Sequence, residues 1–194
     1  MRLRILETAT TMFLEEGFEN TSLRKIAKRI EYSPAAIYLY FKDKGELLHA
    51  IHERGFSMFL QKLSQSARIA NPLERLEAMG HLYIEFASEQ PEYYDLMFIM
   101  RRPESAVEED QGWDSGKRSF QHLKDTVAEC IEAGLVHLPD AEVGSLYIWS
   151  FMHGMTALSI RNRMTMYPDK AGHRRLMEQA MGQMMANVTR QPPR

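Results

Sequence analysis

The chain has 194 residues, 44% of them hydrophobic and 26% charged, with a formal net charge of −2. That length and apolar content can bury a core and suit a small head joined to a larger helical body. The single cysteine, Cys130, excludes an intrachain disulfide, and no uncharged run is long enough to span a bilayer; with no signal-peptide pattern after Arg2 and Arg4, the expected compartment is the cytoplasm.

Ile5, Ala9, Met12 and Phe13 keep the spacing of one buried helical stripe, and Gly17 followed by Phe18 reads as a left-handed C-terminal cap with its apolar contact. A second helix follows. Leu23, Ile26, Ala27 and Ile30 form its buried side and Arg24, Lys25, Lys28 and Arg29 fill the other, with Thr21 or Ser22 able to cap its start. The chain must turn after Glu31 and Tyr32. Ser33 and Pro34 then reopen a helix, because serine accepts from an orphan N–H and proline gives up one that has no partner.

Placing Ile37 and Phe41 inward leaves Ala35, Ala36, Tyr38 and Leu39 outward, with Tyr40 on the flank. Small residues at the start of this face let the backbone approach base edges in a major groove, near the positive end of the helix dipole. Tyrosine hydroxyls and Lys44 can hold phosphates. Ala36 and Leu39 have no side-chain hydrogen-bonding group, so readout by them is apolar contact with thymine methyls. Residues 21–44 hold six Lys or Arg against Glu31 and Asp43, giving +4 and leaving −6 elsewhere. This local positive charge, on an acidic chain, steers one face toward nucleic acid.

One long helix is expected from Lys44 to about Leu63, carrying Leu47, Leu48, Ile51, Met58 and Phe59. It would link a head, residues 1–46, to a regulatory and dimerisation body, residues 47–194. Leu76, Met79, Tyr83 and Phe86 mark a helix between Leu73 and Ser88, and Pro91 opens a shorter one with Tyr94, Met97, Phe98 and Met100. The composition between Arg102 and Lys117 is that of a surface loop, with Trp113 as its large anchor. Phe120, Leu123, Val127, Cys130 and Ile131 mark a helix ending near Gly134, and two terminal helices are expected over about Ala141–Met166 and Asp169–Thr189.

The run from Ile5 to Ile51 resembles the N-terminal domain of the TetR family of bacterial transcriptional regulators. It matches ILxxAxxxFxxxGF (Ile5 to Phe18), TSLRKIA and IYLYFKDKGELL (Ile37 to Leu48), but has Glu31 where the family often has glycine. The resemblance implies an all-α fold, a helix-turn-helix head and a helical ligand-binding and dimerisation domain. It also implies a homodimer that binds a palindromic operator on double-stranded DNA and is released by a small-molecule effector, without cofactor or enzymatic activity.

The expected DNA-facing residues are Thr21, Ser22, Arg24, Ser33, Pro34, Ala35, Ala36, Tyr38, Leu39, Tyr40 and Lys44. A soft, aromatic-lined effector pocket could draw on Met79, Tyr83, Phe86, Met97, Phe98, Met100, Phe120, Met152 and Met155, with His153 and Arg161 for polar recognition; the same residues also suit ordinary core. In a TetR-like protein the last two helices form a four-helix bundle with the mate; Gly154, Ala157, Met177, Met181 and Met184 are the candidate contacts, or else complete the monomer's own core.

Three other readings stand beside this one. The helical pair could be an ordinary amphipathic unit, or the body could dimerise without sensing a ligand. A helical metalloenzyme would need inward ligands, and the chain has one Glu-x-x-His pair, Glu46 with His49, while His49 and His52 read as solvated.

Overall fold

A computed structural model describes residues 1–101, 114–167 and 170–189, all of whose regular elements are helices. In chain order the α-helices are α1 (Arg2–Glu16), α2 (Leu23–Arg29), α3 (Pro34–Tyr38), α4 (Lys44–Leu63), α5 (Pro72–Glu89), α6 (Pro91–Phe98), α7 (Asp114–Glu132), α8 (Ala141–Ile160) and α9 (Lys170–Thr189), with a single 3-10 turn over Ser64–Ser66 among the described residues. The expected loop anchor Trp113 lies outside the described residues. The chain divides into two compact units, Met1–Met58 with Gln90–Gly116, and Phe59–Glu89 with Lys117–Arg194, so that α4 contributes to both.

The first unit is built on the stripes that the sequence predicts. Ile5, Leu6, Ala9, Met12 and Phe13 of α1, Leu23, Ile26 and Ala27 of α2, Ile37 of α3 and Leu47, Leu48 and Ile51 of α4 are all buried. Each such side chain contributes about 1.5–3 kcal/mol when fully removed from water, and together they hold three short helices that would be marginal alone. Later in the chain, α6 completes this unit. Met97 closes on Gly55 so tightly that a Cβ there would stand 2.5 Å from its sulfur. Phe98 meets Phe56 edge-on with ring centroids 5.4 Å apart. His52, expected in solvent, is 4% exposed.

The second unit packs α5, α7, α8 and α9. Phe59 meets Tyr83 edge-on and Phe86 at a tilt, with centroids 5.5 and 5.1 Å away. Gly80 lets α5 approach closely, since a Cβ there would lie 2.6 Å from the Met181 sulfur. Met177, Met181, Met184 and Met185 line the inner side of α9. Cys130 is fully buried, as expected of a helix core, and burial pushes its thiol up to about 11. Helix α8 ends at Ile160, short of the expected Met166, because Asn162 takes a left-handed conformation with φ 51°.

A candidate nucleic-acid interface

The helical pair begins with two serine caps. The Ser22 hydroxyl accepts from the backbone N–H of Lys25 at 3.2 Å, and the Ser33 hydroxyl from that of Ala36 at 3.3 Å, with Pro34 filling the first helical position. Thr21, the other expected cap and DNA contact, is instead 1% exposed. Its hydroxyl donates to the carbonyls of Met12 and Gly17, at 3.3 and 2.9 Å, and so fastens the entry to α2 onto α1.

Glu31 ends α2 in the left-handed region, with φ 60°. Its N–H donates to the Lys28 carbonyl at 3.2 Å and that of Tyr32 to the Ala27 carbonyl at 2.9 Å, the paired bonds of a Schellman turn. The same pattern closes α7 at Gly134 and α8 at Asn162. Glycine and asparagine enter that region readily; glutamate does so at a cost of roughly 1 kcal/mol. The turn therefore has the geometry glycine would give, without glycine.

Helix α3 is only five residues long, shorter than the expected span to Phe41, and its dipole is correspondingly small. Ile37 and Phe41 face inward and are buried. Outward stand Tyr38, Tyr40 and, above all, Leu39, which is 84% exposed. Pro34 and Ala35 are exposed and Ala36 is half-buried. Tyr32, not among the expected contacts, is also exposed and lies under the Arg4 guanidinium, 5.7 Å from it. An exposed apolar face flanked by tyrosines is therefore assembled at the end of α3.

The surrounding charges divide into two sets. Lys25 pairs with Glu16 at 3.0 Å and donates to the Asn20 carbonyl at 2.7 Å, while Arg29 reaches Glu15 at 3.3 Å. Lys44, expected at a phosphate, donates to the Phe18 and Glu19 carbonyls at 2.7 and 3.3 Å and stands 4.2 Å over the Phe18 ring. Its ammonium is thus engaged in holding the turn after α1 against the start of α4, and the exposed Glu19 carboxylate takes up what remains at 3.5 Å. Arg24, Lys28 and Lys42 are exposed and make no ion pair among the described residues. Lys28 and Lys42 are cations that position alone did not single out. The Glu46 carboxylate accepts from the Lys42 backbone N–H at 2.7 Å and the Asp43 carboxylate from that of Glu46 at 2.8 Å, so the lone Glu-x-x-His glutamate caps a helix.

The expected pocket residues fall into two sets as well. Met79, Tyr83, Phe86 and Met152 are buried in the second unit and Phe120 and Met155 half-buried there, whereas Met97, Phe98 and Met100 belong to the first. The reason is topological: α6 packs with α1 and α4 although it follows α5 in sequence. Of the expected dimer contacts, Met177, Met181 and Met184 are at most 4% exposed in the single chain and so complete its own core. Gly154 is exposed and Ala157 half-buried.

Residues 5–51 match the family described as bacterial regulatory proteins, tetR family, and residues 76–184 match the tetracyclin repressor-like C-terminal domain. An HTH-type transcriptional regulator of Staphylococcus aureus is 38% identical over 64 residues, which cover 33% of this chain and 35% of that protein. The match thus spans about a third of the curated relatives' length. Among solved structures, the fatty acid degradation regulator FadR from Bacillus halodurans is 18% identical with a TM-score of 0.76, covering 93% of this chain and 94% of that one. AibR in complex with isovaleryl coenzyme A and operator DNA is 26% identical with a TM-score of 0.71, covering 97% and 98%. With both of its parts matched in order, the chain belongs to the TetR family of bacterial transcriptional regulators.

Proposed function

We propose that this chain is a homodimeric repressor that binds a palindromic operator and is released by a small, largely apolar effector. The observation that carries the DNA reading is the exposed, uncharged end of α3, where Leu39 and Tyr40 follow Tyr38, on a helix-turn-helix whose free cations are Arg24, Lys28 and Lys42. Cations on phosphates fix register, and apolar contacts beside them read thymine methyls. The AibR complex, which holds both an acyl ligand and operator DNA, supports the effector half of the reading by likeness.

The outer side of α8 supports dimerisation. Val143, Leu146, Tyr147 and Leu158 are between 46% and 55% exposed, and Gly154 on the same side has open space where a Cβ would be. Residues at these helical intervals make one apolar stripe, which a second copy can cover by two-fold symmetry. Two reading heads about 34 Å apart would then meet successive major grooves.

Selection of bound sequences from a random duplex pool tests the function directly. Enrichment of a two-fold symmetric site is expected, and failure to enrich any sequence at low salt would overturn the DNA reading. Leu146→Glu should yield monomers in sedimentation velocity and abolish tight operator binding. A dimer that persists in this variant would exclude the α8 stripe as the interface.

A further inference from the structure

Hydroxyls buried in helices ordinarily satisfy themselves on the preceding turn. Thr10, Thr126 and Ser145 do so here, donating to the carbonyls of Leu6, His122 and Ala141 at 2.8, 2.9 and 2.6 Å. Thr156 does not. It is 1% exposed, lies within α8, and its hydroxyl has no hydrogen-bond partner among the described residues. A threonine in a helix can reach that carbonyl in one of its rotamers, so a buried hydroxyl that does not make this bond is a polar group left without compensation.

Its neighbours supply a setting for a ligand. His153, one turn earlier on the same side of α8, has Nδ1 3.4 Å from the Tyr83 hydroxyl on α5. The Trp149 ring lies 6.0 Å from His153 and 5.9 Å from Phe120, and Met152 and Met79 are buried on the same two helices. A second buried polar atom without a partner among the described residues, Nε2 of His122, stands on α7 two residues beyond Phe120. Polar tips set in an aromatic and methionine-rich surround are the composition of small-molecule sites.

We propose that Thr156, His153 and Tyr83 form the polar end of a site for an aromatic molecule bearing an uncharged hydroxyl or carbonyl group. This inference rests on the effector reading and names the ligand class. None of the three side chains carries a permanent charge, so a carboxylate brought among them would lose its water and gain a counter-ion only by protonating the His153 ring against the cost of its burial. A hydroxyl or carbonyl would instead complete the Thr156 bond. Burial lowers the pKa of His153, in keeping with a neutral ring there.

The test uses the full chain and matched probes: naphthalene, 2-naphthol, 2-acetylnaphthalene and 2-naphthoate. Melting temperatures and operator anisotropy are read in the same titrations, for the natural chain, Thr156→Val and Thr156→Ser. The neutral oxygenated probes should raise the melting temperature more than naphthalene, and naphthoate should not. Thr156→Val should be at least as stable without ligand, since an unpaired hydroxyl is removed, yet bind the oxygenated probes roughly 3- to 10-fold more weakly. Thr156→Ser should restore the affinity. Equal affinity in Thr156→Val, preference for naphthoate, or no shift with any probe would overturn the site. Operator release by a compound whose affinity ignores Thr156 would sink the site and leave the effector reading standing. Tight, Thr156-dependent binding without operator release would do the reverse.

Discussion

Leu39→Ala separates reading from folding. At 84% exposure the Leu39 side chain gains almost nothing from the folded state, so its truncation should leave unfolding free energy within about 0.5 kcal/mol of the natural chain. On DNA the same side chain would move from water to a thymine methyl. Full burial of a leucine is worth about 1.5–3 kcal/mol and a groove contact covers part of it, so a loss of about 1–2 kcal/mol, or roughly 5- to 30-fold in affinity, is expected. The assay is fluorescence anisotropy on the selected operator, made with thymine or with uracil at the contacted step. The natural protein should lose affinity when the methyl is removed, whereas Leu39→Ala, having lost the contact already, should not distinguish the two duplexes. Because no charge changes, the dependence of affinity on salt should be the same for both proteins. If uracil weakened the variant by the same factor as the natural chain, the methyl would be read by something other than Leu39. A large drop in stability would show that Leu39 serves the fold.

Three further outcomes follow from the backbone and the buried groups. Glu31→Gly should raise stability by about 0.5 kcal/mol after the entropy of the unfolded glycine is counted, whereas Glu31→Ala should not; urea midpoints that fail to separate the two would remove left-handed strain as the cause. Gly17, with φ 84° and ψ 154°, occupies a region almost reserved for glycine, and a Cβ there meets no atom closer than 4.0 Å, so Gly17→Ala should cost about 1–3 kcal/mol through the backbone alone. An unchanged denaturation midpoint would contradict that. For His153, desolvation lowers the folded pKa below the ordinary 6.5, so as pH falls the unfolded chain takes up its proton first. The stabilising contribution is present above pH 6.5 and lost as pH falls through the folded value; His153→Gln should therefore lose less stability than the natural chain on acidification below 6.5, and parallel losses would refute the assignment.

Much of the first unit is legible in the sequence because its information is local. A buried stripe repeats every three or four residues, a serine cap sits three residues before the N–H it accepts from, and proline marks a first turn; these intervals need no knowledge of the rest of the chain. What escapes is set by partners far along it. Thr21 faces inward because a carbonyl nine residues earlier, that of Met12, lies within its reach. Lys44 is drawn to carbonyls more than twenty residues away, at Phe18 and Glu19. Met97 and Phe98 follow α5 in sequence but pack in the other unit, and the methionines of α9 serve the core because Gly80 opens room for Met181. An apolar stripe specifies that a face must be covered, and leaves the identity of its cover to topology.

The formal +4 balance of residues 21–44 overstates the charge this head can offer to phosphates. Lys25, Arg29 and Lys44 are each turned back toward a glutamate at or just after the end of α1, Glu16, Glu15 and Glu19 respectively. Exposed pairs of this kind contribute little to stability, about 0–1 kcal/mol each, so their greater effect is on orientation. They tie α2 and the start of α4 to α1. Arg24, Lys28 and Lys42 then remain for electrostatic attraction, close to an uncharged reading face. The separation has a physical advantage. Attraction that depends on three cations weakens as salt rises and acts alike on all sequences, whereas the apolar contact proposed at the end of α3 would be insensitive to salt and act only where a methyl is present. In such a head, moving a cation from the internal set to the free set strengthens binding to every sequence and so lowers discrimination, which is a reason for glutamates to hold half of the basic residues back.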